Sequence, residues 1–102
     1  MEKAEEKKPE KFLSVKSSYK KNLLGQSVVS GIIYNNAKVA NYKDIEIKLQ
    51  FYSKTNSLLE EDVETIYEEV NAGGITKFKS KYFSPKGTNS VVVTVQKAVF
   101  IP

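Results

Sequence analysis

Three lysines spaced by two, Lys77, Lys79 and Lys81, run up to the aromatic pair Tyr82 and Phe83. On a β-strand that spacing puts the ammonium groups on one face, where they can hold a polyanion while rings stack on bases. A second cluster is acidic: Glu60, Glu61, Asp62, Glu64, Glu68 and Glu69. Clustered oxygens suit a hard cation, but the D-x-D-x-D-G spacing of a calcium loop is missing, so the run reads as a solvated face and no metal site is expected. Six tyrosines (Tyr19, Tyr34, Tyr42, Tyr52, Tyr67 and Tyr82) fit half-buried core positions, and an exposed pair such as Tyr52 with Tyr34 could stack on sugar rings.

Catalytic equipment is sparse. The chain has no His and no Cys, which removes the usual zinc and thiolate ligands and both the Ser-His and Cys-His nucleophile constellations. "SGII" and "NAGGI" contain neither a phosphate loop nor a dinucleotide fingerprint. Paired carboxylates remain, but hydrolases that use them need a cleft that a single small sandwich rarely offers. A non-enzyme with no cofactor is therefore expected. All sixteen basic residues are Lys, so the bidentate Arg reader of phosphate and guanine is absent, and the net charge of +4 is weak support for nucleic acid.

These side chains need elements to position them. A chain of 102 residues with 40% hydrophobic content supports one domain with one core. Residues 1–11, "MEKAEEKKPEK", hold four Glu and four Lys and almost nothing apolar, which predicts a charged flexible linker ahead of a single domain over 12–102. From Phe12 onward the pattern is strands: "FLSVKSSY", then "QSVVSGIIYN", apolar on both faces. "IEIKLQFYS" follows, with Ile45, Ile47, Leu49 and Phe51 on one face and Glu46, Lys48, Gln50 and Tyr52 on the other. "LLEEDVETIYEEV" fits a helical stripe or a strand.

The next segment favours a strand. A hairpin loop at Asn71–Gly74 would pair Val70 with Ile75, Glu68 with Lys77, Ile66 with Lys79 and Glu64 with Lys81, and set Tyr67 against Phe78 and Val63 against Tyr82. Each matched pair contributes about 0.2–1 kcal/mol across a sheet. This register makes the field around the three lysines near neutral, which counts further against nucleic acid. The alternative keeps both strands and sends the chain from one sheet to the other at Gly73 and Gly74. After "SPKGTNS", the segment "VVVTVQKAVFI" makes a last strand, apolar on both faces at its start and so expected to be central. About seven antiparallel strands without a repeat point to an all-β sandwich of two sheets, with a small barrel as the structural alternative.

"GIIYN", "NYKDIEIKLQFYSKTNSLL" and "VNAGGITKF" together resemble the FxLYD domain, a small immunoglobulin-like β-sandwich related in style to the late-embryogenesis domains. The elements that carry the likeness are Gly31, Ile33 and Asn35 in one strand, Asp44 and Ile45 before the central strand, and Leu49 to Ser53 at the naming motif. Leu49, Phe51 and Ser53 depart from that motif, and the likeness spans roughly residues 27 to 83. It implies an immunoglobulin-like sandwich of bacterial, extracytoplasmic type, held near a membrane by an upstream lipoprotein anchor or helix, with no catalytic residues to carry over.

The expectation is thus a non-catalytic, monomeric, periplasmic or surface-displayed module that serves a structural or protein-interaction role with an unknown partner. The absence of Cys fits the cytoplasm equally well. The alternative is a ligand-binding module for polysaccharide or nucleic acid, with Tyr34, Tyr52, Lys77, Lys79 and Lys81 as the candidate interaction surface. No window approaches the roughly 18 apolar residues of a membrane span.

Overall fold

The inward row of "IEIKLQFYS" is the centre of the molecule. Ile45, Ile47, Leu49 and Phe51 are each at most 1% exposed, as a period of two requires of a strand with one buried face. Burying such a side chain contributes about 1.5–3 kcal/mol, so this row anchors the core. The computed structural model describes residues 7–21, 26–82 and 86–102, Tyr82 by its backbone alone.

Six strands lie among the described residues: β1 (Leu13–Lys21), β2 (Ser27–Asn35), β3 (Asn41–Ser53), β4 (Leu58–Ile66), β5 (Ile75–Tyr82) and β6 (Thr88–Ile101). They form two three-stranded antiparallel sheets, a first in the order β1-β2-β5 and a second in the order β4-β3-β6. Leu13, Val29, Ile33 and Phe78 from the first sheet meet Tyr42, Ile45, Ile47, Leu49, Phe51, Ile66 and Val93 from the second in one shared core. The chain is all-β, with two separate sheets rather than a closed barrel and six described strands where about seven were expected.

Local chemistry explains the connections. Between β3 and β4 the Ser53 hydroxyl accepts from the Ser57 N–H at 3.1 Å, and Asn56 takes the left-handed conformation (φ 63°) that Asn tolerates. The residues after β4 do not turn back as a hairpin. β4 ends at Ile66 and pairs with β3, whereas β5 pairs with β2, so the chain crosses between sheets over residues 67–74. None of the expected cross-strand partners meet: Val70, Glu68, Ile66 and Glu64 do not oppose Ile75, Lys77, Lys79 and Lys81. The crossing prevails because it buries Ile66 and Val70 against β3 and Phe78 against β2, an apolar gain larger than that of exposed charge pairs. Tyr67, expected to pack against Phe78, is instead 79% exposed.

β6 differs from expectation as well. It is an edge strand paired only with β3, and its two-sided apolar character leaves Val92 and Val99 outside the core. Ahead of β1, Pro9–Lys11 form a 3-10 turn with Pro9 buried, so this part of the expected linker is folded; residues 1–6 lie outside the described residues. The side chain of Tyr82, together with Phe83, Ser84 and Pro85, lies outside them too.

Candidate binding face

The outward positions of the first sheet are set by its register. Lys16, Ile32 and Lys77 form one row across the three strands; Ser18, Ser30 and Lys79 form the next; Lys20, Val28 and Lys81 form a third. Ser14, Tyr34 and Ile75 make a fourth row at the far end. The lysines thus stand on the two outer strands and flank β2 at about 10 Å, two strand spacings, while neighbours along β5 are about 7 Å apart. All five lysines are exposed.

Between these rims runs an open trough of about 650 Å³, lined by Lys16, Ser18, Ser30, Ile32, Lys77 and Lys79. The Ser18 and Ser30 hydroxyls are 3.1 Å apart on its floor, and Tyr34 stands half-buried further along β2. No Asp or Glu occurs in any of the three strands. Among the described residues none of the five lysines forms an ion pair.

The acidic segment that was expected to neutralise this face belongs to the other sheet. Glu60, Glu61 and Asp62 are exposed on β4, where Gln50 Nε2 donates to Glu61 Oε1 at 2.7 Å. Glu64, expected opposite Lys81, turns toward the seam between the sheets, and the Ser80 hydroxyl lies 2.8 and 2.7 Å from its two carboxylate oxygens. Among the described residues no three carboxylates converge in a way that could hold a metal ion.

Of the residues singled out in the sequence, Tyr34, Lys77, Lys79 and Lys81 therefore share one face. Tyr52 does not join them: it lies on β3, in the second sheet, between Leu58 and Ser90. The expected Tyr34–Tyr52 pair is split between opposite layers. Lys16, Lys20, Ser18 and Ser30 were missed, although a sequence signal for them exists: β1 and β5 are the two strands with three lysines each and no acid, and β2 between them carries no charge.

A second surface is the side of β6 away from β3, which no strand pairs with among the described residues and which β1 and the Pro9–Lys11 turn approach. Three of the four edge strands carry several charges: Lys16, Lys20 and Lys21 on β1, Lys77, Lys79 and Lys81 on β5, and Glu60, Glu61, Asp62 and Glu64 on β4. The 14-residue β6 carries Lys97 alone, which reaches Glu46 at 3.8 Å. Charged side chains are the common protection of a sheet edge, and β6 is largely without it. Its inward residues Val91, Val95, Ala98 and Phe100 are only partly buried. No helix among the described residues is long and apolar enough to cross a membrane.

Comparison with known proteins gives a fold and no family. No family model matches the chain, and no curated protein matches it. Among solved structures, the chain is similar to IrmA from Escherichia coli, with 12% identity, a TM-score of 0.58, and coverage of 89% of this chain and 85% of that one. It is also similar to the Northeast Structural Genomics Consortium target SoR45, at 9% identity and a TM-score of 0.49 over 88% and 80% of the two chains.

Proposed function

We propose that the chain is a non-catalytic, immunoglobulin-like module that binds a protein partner by accepting an extended segment as an added strand beside β6. The carrying observation is the contrast between that edge and the other three. β6 offers 14 residues of strand with no charge from Thr88 to Gln96, and among the described residues no strand is paired with it on the side away from β3, where β1 and the Pro9–Lys11 turn lie nearby. In an immunoglobulin sandwich the sheet holding the third and sixth strands of the present order continues with one more strand, and β6 is where it would pair. Strand addition supplies main-chain hydrogen bonds and lets alternate side chains of the guest cover the partly buried Val91 and Val95 on either side of the buried Val93. A suitable guest segment is β-branched, apolar on alternate positions and uncharged where it faces Val91 to Val95. The module itself is monomeric. Its placement outside the cytoplasm, behind an upstream anchor, rests on the FxLYD-like pattern alone.

A photo-cross-linking residue placed at Val92, with the same group at Val63 on β4 as control, tests the binding mode in the native host. The reading expects a defined protein adduct from position 92 and none from 63, with loss of the adduct when Val91 and Val95 are changed to Lys in a still-folded chain. Equal adducts from both positions, or none from 92, would retire it. Fractionation of the native protein into the cytosol would retire the placement outside the cytoplasm and leave the strand-addition reading standing.

A further inference from the structure

We infer that the outer face of the β1-β2-β5 sheet is a binding site for a single chain of anionic polysaccharide, laid along β2 between the two lysine rims. This site is separate from the β6 edge and does not depend on it.

Charge is the first argument. The net charge of +4 is not spread over the molecule: the first sheet contains Lys16, Lys20, Lys21, Lys77, Lys79 and Lys81 with no acid, while β4 in the second contains Glu60, Glu61, Asp62 and Glu64 with no Lys. At physiological salt the screening length is about 8 Å, so lysines spaced about 7 Å along β5 still act together on an anion above them. Like charges gathered on one face repel each other, and a polyanion relieves that repulsion while releasing its own counterions.

Shape is the second. The strands that carry the two lysine rims are about 10 Å apart, a spacing that suits one polymer chain lying along β2. The floor itself offers the Ser18 and Ser30 hydroxyls and the apolar surface of Ile32, and Tyr34 adds a half-exposed ring at the end of the row. A sugar chain bearing carboxylates or sulfates uses all of these groups, since it carries charge, hydroxyls and apolar ring faces together. Single-stranded nucleic acid uses them less well: successive bases need successive aromatic platforms, and among the described residues this face has one ring, Tyr34, while the chain has no Arg.

The test is titration of the isotopically labelled chain with an oligouronate hexasaccharide. Neutral dextran, oligothymidylate and phosphatidylcholine vesicles doped with phosphatidylglycerol serve as the other arms. The expected result is a set of amide shifts confined to Lys16, Ser18, Ser30, Ile32, Lys77 and Lys79, with affinity for the oligouronate falling about tenfold between about 50 and about 200 mM salt. The double variant Lys77→Glu/Lys79→Glu should lose binding at least tenfold, whereas Lys43→Glu/Lys54→Glu, which changes net charge equally but lies on and directly after β3 of the other sheet, should retain it. Tighter binding to oligothymidylate or to the vesicles, equal loss in both double variants, equal affinity for dextran, or no shift at millimolar oligouronate would each overturn the assignment.

Discussion

Asn35 Nδ2 donates to the Val70 carbonyl at 3.0 Å, so one side chain at the end of β2 holds the backbone that leaves the opposite sheet. The same amide nitrogen donates to the Ala40 carbonyl at 2.9 Å, and Asn35 Oδ1 accepts from the Ala37 N–H at 2.9 Å. Val70 in turn exchanges backbone hydrogen bonds with Tyr42 at 3.1 and 2.8 Å, which ties the crossing to β3. Asn35 is 2% exposed, and no buried side-chain polar atom lacks a partner among the described residues. Replacing Asn35 with Ala leaves the Ala37 N–H without its acceptor and removes a donor from the Ala40 and Val70 carbonyls in a dry site, the Val70 carbonyl keeping the Tyr42 N–H. A loss of about 2–4 kcal/mol in unfolding free energy is expected from chemical denaturation with the slope unchanged, given about 1–3 kcal/mol for each buried group left unpaired.

Gly31 lies beneath Phe78. A Cβ built at Gly31 would stand 2.7 Å from the Phe78 ring and 2.9 Å from the Lys16 carbonyl oxygen, both closer than any real contact. Gly31→Ala should destabilise the chain by about 1–3 kcal/mol, the usual cost of overpacking. Part of that loss should return in the double variant Gly31→Ala/Phe78→Leu, which removes the ring and leaves the backbone contact. A thermal melt of the three chains measures both effects.

The buried row of β3 and the outer surface of β4 should respond oppositely to truncation. Leu49→Ala opens a cavity at the centre of the shared core and should cost about 2–5 kcal/mol. Val63→Thr, at a position 48% exposed, should stay within about 0.5 kcal/mol of the parent. Similar losses for the two would mean that β4 is packed against something on its outer side.

Amide hydrogen exchange should rank the strands by their pairing. β3 is bonded on both sides, to β4 and to β6, and its amides from Ile45 to Phe51 should exchange with the global unfolding free energy. Amides of β6 that point away from β3 should exchange orders of magnitude faster, and a bound strand should slow them. Protection of those amides in the isolated chain would show the edge to be already covered.

Ser80 and Glu64 join the edges of the two sheets by a hydroxyl held against a half-buried carboxylate. Ser80→Ala removes that donor and should cost about 1.5–3 kcal/mol, the range for a hydrogen bond to a charged group. Ser80→Thr, which keeps the hydroxyl, should recover most of it in the same denaturation experiment.

The amino-acid sequence by itself determined the strands and the inward row of the central one, because a period of two is a property of a single segment and needs no partner. Ile45, Ile47, Leu49 and Phe51 could be assigned to the core before any neighbour was known. Four of the five residues proposed for the interaction surface also share a face, since Lys77, Lys79 and Lys81 alternate on one strand and Tyr34 is register-matched to it. Which strands pair could not be read in this way. Matched charges around "NAGG" favoured a local hairpin, and the fold instead spends that segment crossing to the other sheet, where Asn35 and Asn41 receive it. Those contacts link residues 31 to 35 positions apart, so their gain appears only once the layers have met. The same crossing carried the acidic strand away from the lysines and left β6 at an edge. The tertiary structure alone decided these two surfaces, because a surface's charge and its openness depend on which strand lies beside it.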